Sequence, residues 1–431
     1  MRSLEADRGS TKSTWRRLAA VPAVPTHYEP HHDRFPIVVV VAGISLLPLL
    51  NPKGPANTAP VDFIMMAAIV VVGVWVGTTL TRVHVPYVLP AAGLALAGLI
   101  AALAGGSPMS GSIAIVQEVF LLAWCAAITS LCRTPRSLRT VVRGWCVSAT
   151  AWAIFLIMVE MSGRTRLPGG TGGEGGRARL WFDHPNLAGN YFAVAIFIVL
   201  AARYPRHPVA RHLSVIALLV AVLLTGSNTA LLTLPVGGLI IAFVKIRAGK
   251  GAIHAIAIVL SISLAAGSFV AFGLGPIIES AQESEIPLIK YSLGRGSRSA
   301  SARESLFLSQ IDLFRSGNLI GIGPAATRQV LAEVDAPTAK EAHNDYLATL
   351  VERGPIGVLS LVALIGAVTV RTISIHRLKP EWSTAIPNPA ALSAAVAGFI
   401  VTALTHEVLH YRNLWTLLAI IAVLYLHGRA D

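Results

Sequence analysis

The sequence predicts an all-α polytopic membrane protein of about twelve transmembrane helices with a helical cap on its outer face, and three observations carry that prediction. The first is composition. Of 431 residues, 54% are hydrophobic and 13% charged, at a mean hydropathy of +0.64, where a soluble chain carries about a quarter charged residues. This excludes a soluble enzyme and a disordered protein. The second is a series of apolar runs near the roughly 20 residues that a helix rising about 1.5 Å per residue needs to cross a bilayer. The third is the placement of Lys and Arg, which gather in alternate connecting segments.

In order, the runs fall at 36–50, 62–80, 84–104, 113–131, 145–161, 186–202, 212–225, 229–246, 252–274, 345–370, 387–404 and 411–427. The first and seventh are short, which smaller tilt or extension into the flanks accommodates. Helices are the natural spanning form, because lipid satisfies no open backbone group and no segment alternates like a barrel strand. The first 35 residues are polar and hold no apolar core of a signal peptide, so the first span is expected to direct insertion. The expected organisation is a polar segment at 1–35, nine spans within 36–274, a large outer loop at 275–344, three spans within 345–427 and a tail at 428–431.

The net charge is +13, which on a soluble chain would suggest nucleic acid. Here no nucleic-acid partner is expected, and the distribution of the charge sets orientation. With the N-terminus inside, the cytoplasmic segments receive six basic residues in 1–35, Arg82, and Arg133, Arg136, Arg139 and Arg143. Further basic residues fall in 203–211, 245–250 and 371–386, with Arg429 near the C-terminus, whereas the short outer loops hold almost none. Both termini are thus expected in the cytoplasm. Cys125, Cys132 and Cys146 show no metal-ligand spacing and read as small packing residues.

Two outer segments break the charge pattern. The loop 162–185 carries Arg164, Arg166, Arg177 and Arg179, and its glycines at 169–176 could set backbone N–H groups around a phosphate. A flexible linker accounts for those glycines equally well. The loop 275–344 carries seven basic residues and is too patterned for a plain connector. Ser301–Glu304 matches a capping box and predicts a helix with Phe307, Ile311 and Phe314 on one face, followed by glycines 317, 321 and 323 and a second helical stretch near 325–334. Basic outer loops suit an anionic ligand.

The cap leads into His343-Asn-Asp-Tyr-Leu, then Glu352, Gly354 and Gly357. This H-N-x-Y-L-x-x-x-x-E-x-G-x-x-G string resembles the O-antigen ligase/polymerase superfamily. So do Arg303 within S-x-R-x-x-L, LWFDHPNLAGNYF at 180–192 and TGSNTALLTL at 225–234. The resemblance implies a GT-C-like bundle in the bacterial inner membrane that transfers glycan on its outer face, with no metal or other cofactor. Its donor would be a polyprenyl-diphosphate-linked glycan and its acceptor a glycan or glycolipid hydroxyl, of lipid A core type for a ligase. A polymerase would need nearly the same site.

The residues suit that chemistry. An acceptor hydroxyl is a weak nucleophile, and His343 has the intrinsic pKa of a base near neutral pH. Charge growing on a departing diphosphate suits an arginine fork, for which Arg303 is the candidate. Arg177, Arg179, Arg412, Glu352 and Tyr346 are expected at the substrate, as is Asn228, where many relatives carry a basic residue. Each has a plainer reading: an interfacial His343, an Arg303–Glu304 ion pair, or an internal Glu352–Arg353 pair, since intramembrane charges are costly unless paired. His406 and His410 could line the same mouth. A twelve-span secondary transporter is the competing reading, but no internal repeat supports it.

Overall fold

A computed structural model describes residues 33–51, 58–105, 107–163, 176–285, 289–290, 296–315, 319–334 and 342–430, with backbone alone at 266, 269–274 and 296–303. The chain divides into two compact units, Met1–Phe35 and Pro36–Asp431. Of the first, Asp33–Phe35 are described.

All twelve apolar runs are helical. The helices are α1 (Arg34–Ser45), α2 (Pro60–Thr78), α3 (Val88–Ala104), α4 (Pro108–Leu131), α5 (Pro135–Met161), α6 (Pro185–Ala202), α7 (Pro208–Thr225), α8 (Asn228–Lys250) and α9 (Ala252–Glu283). After them come α10 (Gly296–Arg315), α11 (Thr327–Glu333), α12 (Asp345–Ser374), the short α13 (Pro380–Ser383), α14 (Pro389–Thr402) and α15 (Arg412–Val423), which ends in a π-turn at Leu424–Gly428. An isolated antiparallel bridge joins Leu378 to Arg429. Seven helices (α2, α4 to α8 and α12) are long and apolar enough to cross a membrane, and five shorter apolar stretches accompany them. Phe63, Val74, Leu213 and Leu359 lie exposed on the outer helix faces, as lipid-facing side chains do.

The all-round apolar α6 is the central helix: 89% of its span is buried, against 22–39% for the other long spans. It packs on α5, α7, α8 and α14, while α15 packs on α4 and α12 on α3. Polar side chains clasp this centre, with Asn190 donating to Thr402 Oγ1 at 3.2 Å and Asn413 donating to Asn190 Oδ1 at 3.1 Å. Gly189 lets α6 approach the start of α8, since a Cβ there would stand 2.7 Å from that of Ser227.

Several boundaries differ from the sequence expectation, each for a local reason. Helix α5 begins ten residues before the apolar run, because the Thr134 hydroxyl accepts the Ser137 N–H at 3.2 Å and Pro135 fits the first turn. Arg136, Arg139 and Arg143 therefore ride on a helix rather than a connector. Helix α9 continues across Pro276 to Glu283, so the expected outer loop starts as helix. Helix α10 starts at Gly296 rather than Ser301, since the intervening residues include no breaker.

Helix α12 is interrupted, and the interruption positions the loop before α11. Gly354 has φ 62° and ψ −169°, and Pro355 follows it. Pro355 has no N–H, so the Val351 carbonyl lacks its helical donor. Ile322 N–H fills that place at 3.1 Å, and Gly323 N–H donates to the Glu352 carbonyl at 3.0 Å. A side chain at Gly354 would run into the Leu319 carbonyl, so glycine is required twice over.

Candidate active site

Four stretches meet at one end of the bundle: 176–187 before α6, 319–327 leading into α11, 342–347 opening α12, and 403–412 between α14 and α15. Asp345 joins two of them, donating its N–H to the Ala403 carbonyl at 2.9 Å and accepting Val408 N–H on Oδ2 at 2.7 Å.

A directed chain of hydrogen bonds runs through the first and last stretches. Arg177 donates from Nε to the Thr225 carbonyl at 2.8 Å and from Nη2 to Asn186 Oδ1 at 2.6 Å. Arginine only donates, so the Asn186 amide nitrogen faces His406 Nε2 at 2.5 Å as donor. The His406 proton then belongs on Nδ1, 3.0 Å from Thr405 Oγ1. His184 caps α6 by accepting Asn186 N–H on Nδ1 at 3.1 Å. Around His406 stand two further imidazoles, His184 with ring centroids 6.4 Å apart and His343 edge-on at 6.0 Å.

His343 itself has φ 51°, the left-handed region that a residue with a Cβ adopts only when its surroundings impose it. Those surroundings are clear. Asn344 caps α12 by accepting Tyr346 and Leu347 N–H at 3.0 and 3.1 Å, and Gln310 of α10 donates to the Ala342 carbonyl at 3.0 Å. The half-buried His343 lines a cavity of about 220 Å³ with Glu304, Phe307 and Gln310 of α10.

Next to this cluster lies a polar cavity of about 300 Å³, whose walls include Glu118, Asp183, Arg328, Asp345, Glu352, Arg353, Glu407, His410 and Arg412. Two of its arginines are held by bidentate carboxylates. Arg412 grips Asp62 at 3.0 and 2.8 Å, and Arg353 grips Glu118 with one bond at 2.9 Å and a second from Nη2 to Oε1. Arg328, exposed on the first turn of α11, has no ion pair among the described residues. Glu352 accepts Ala325 N–H at 2.9 Å and the Thr327 hydroxyl at 2.6 Å, so its carboxylate caps α11. His410 is exposed at the cavity, where the neighbouring protein atoms and then Arg412 push its imidazole down, to about 4. An apolar recess of about 290 Å³, lined by Val88, Ala92, Leu122 and Trp415, shares Glu118 and Leu409 with the polar cavity.

The expected site residues thus fall into three groups. Arg177 and His343 converge on His406, while Glu352 and Arg412 share the polar cavity. The half-buried Arg179 donates to the Asp183 carbonyl at 2.8 Å, and the exposed Asn228 opens α8. Tyr346 turns away, donating to the Ile400 carbonyl at 3.0 Å and lining a separate apolar pocket. Arg303 lies on α10, with its side chain outside the described residues, as are residues 169–175 of the glycine-rich stretch. Two placements change the sequence expectations: at 2% exposure Arg177 has no surface to offer a phosphate, and Arg353 pairs with Glu118 rather than with Glu352. Sequence reasoning does not single out His184, Asn186 or Arg328. The polar D-H-P-N opening of an otherwise apolar α6 was a signal for the first two, whereas Arg328 carried none among seven basic loop residues.

Residues 213–362 match the family model described as O-antigen ligase, a segment that includes Arg303 and the whole string from His343 to Gly357. A search of curated proteins gives no match to the chain.

Proposed function

We propose that this chain, a member of the O-antigen ligase/polymerase superfamily, moves a polyprenyl-diphosphate-linked glycan onto an acceptor hydroxyl, of lipid A core type, at the outer face of the inner membrane. The observation that carries the proposal is the shared wall at Glu118 and Leu409: a polar, arginine-bearing cavity adjoins an apolar recess, which suits a molecule with a charged head and an aliphatic tail. The acceptor oxygen attacks the anomeric carbon, the bond to the diphosphate breaks, and His343 takes the hydroxyl proton. Arg303 and Arg328 meet the charge that grows on the leaving diphosphate, because Arg353 and Arg412 are already matched by carboxylates. His406 is a positioning residue, its tautomer set by Asn186 and Arg177.

The test is transfer from a labelled polyprenyl-diphosphate saccharide by the purified protein, with chelator present, for wild type, His343→Ala and Arg303→Ala. The proposal expects transfer to survive chelation and to collapse in both variants. A single added block identifies a ligase and a ladder identifies a polymerase. Full activity in His343→Ala would sink the assignment of the base.

A further inference from the structure

A second cluster of basic and aromatic side chains lies at the opposite end of the bundle. Helix α12 runs from Asp345 at the histidine end to Arg371 at this one, roughly 35–40 Å at the usual helical rise. Segments 82–87, 131–133, 371–379 and 424–430 converge there. They are tied by Lys379 N–H to the Gly428 carbonyl and Ala430 N–H to the Arg377 carbonyl, both 2.8 Å, and by His84 N–H to Ser130 Oγ at 2.9 Å. The last of these segments contains the π-turn, a rare geometry that gathers at functional sites.

Two imidazoles form the centre. His84 and His427 meet edge to face with centroids 5.3 Å apart, and Trp382 stacks on His427. Arg82 and Arg133 lie close enough to act electrostatically on His84, as do Arg133 and Lys379 on His427. Beside them Arg371 lies 4.3 Å over the Tyr87 ring and 5.3 Å from that of Tyr425. Three polar atoms here are buried with no hydrogen-bond partner: His84 Nδ1, His427 Nε2 and Arg371 Nη1.

Arg371 Nη1 is a buried donor left unmatched, which is costly, and each of the two ring nitrogens becomes a donor when its imidazole is protonated beside an anion, so a group that accepts hydrogen bonds satisfies all three. A metal cation is a poor fit, because the charges acting on the two rings are all positive. An anion with several acceptor oxygens is a good one. The geometry points to a binding site for a phosphate group at this face, held by His84, His427, Lys379 and Arg371. Exposed Val83, Val85 and Leu426 flank the cluster with apolar surface, which favours the phosphate of a lipid over a dissolved one. This site is separate from glycan transfer and does not depend on it.

The experiment uses full-length protein, stripped of lipid in detergent and titrated with dihexanoyl phosphatidic acid, dihexanoyl phosphatidylcholine or inorganic phosphate. Binding is read by native mass spectrometry and by the thermal midpoint. Phosphatidic acid should bind and raise the midpoint, phosphatidylcholine should do neither, and Lys379→Ala and His427→Gln should each weaken binding about tenfold, the worth of one charge-assisted hydrogen bond. Transfer activity should stay at the wild-type level in both variants. Inorganic phosphate binding as tightly as phosphatidic acid, with the same sensitivity to the variants, would assign the site to dissolved phosphate. Binding that is absent for every phosphate probe, or indifferent to both substitutions, would overturn the proposal and leave water as the occupant.

Discussion

The two ends of the bundle handle positive charge in opposite ways. At the histidine end, Arg353 and Arg412 are each clasped by a carboxylate, Glu118 and Asp62. At the other end Arg371 is bedded on two tyrosine rings, and neither it nor Lys379 has a carboxylate partner among the described residues. A guanidinium matched by a carboxylate holds a wall in place and brings little net charge to the space in front of it. One bedded on rings keeps its charge for whatever arrives. In the candidate active site this leaves the loop and cap arginines, Arg328 and Arg303, to meet a diphosphate.

The sharpest way to break this comparison is at the base. His343→Ala should lower transfer by about 10²–10⁴-fold, the usual worth of a general base, with a thermal midpoint close to wild type. The paired walls come next. Glu118→Gln strands Arg353 in its buried site and should cost about 3–5 kcal/mol of stability, seen as a lowered unfolding midpoint in detergent. Replacing both partners with leucine should recover most of that loss, and a fully stable Glu118→Gln protein would mean that the pair is not holding the wall.

A smaller and less intuitive effect is expected at the break in α12. Pro355→Ala gives the helix back a donor that competes with Ile322 for the Val351 carbonyl. Amide exchange at Ile322 and Gly323 should quicken, and the docked loop should lose about 1 kcal/mol, one net hydrogen bond. Unchanged exchange would show that the loop is held by its Glu352 and Ser107 contacts rather than by the Val351 carbonyl. The smallest effect concerns His410. Its imidazole is held near 4 in the folded protein against about 6.5 in the unfolded chain. Between those values the unfolded chain takes up a proton that the folded protein refuses, so stability falls as pH drops through that window. His410→Gln should narrow the gap between midpoints measured at pH 7 and pH 5, modestly, since the ring reaches water through the cavity.

Much of the fold was legible because a membrane span announces itself over some 20 residues, and each apolar run became a helix. The ends were less legible. Nothing in hydropathy reveals that Thr134 caps α5 beneath three arginines, or that α10 propagates back to Gly296. In the site, the string after His343 and the intramembrane Glu352 and Arg353 stood out by residue type alone. Their partners did not, because Glu352 reaches Thr327 across 25 residues and Arg353 reaches Glu118 across 235. Arg177 shows the same limit: an arginine in a basic, glycine-rich loop reads as exposed, yet it is buried because Thr225 and Asn186 offer it acceptors.

The Gly354–Pro355 interruption also has a consequence in time. Residues 319–327 leave the ribosome before the helix that receives them, and the spare carbonyls they need at Val351 and Glu352 arrive some thirty residues later. Until then the Ile322 and Gly323 N–H groups lack these acceptors, and the Ser107 hydroxyl, already made, holds the segment only by the Ile322 carbonyl. The cap is therefore sealed by a later span, and an assembly stalled before α12 would carry every residue of the loop yet present no floor for its cavity.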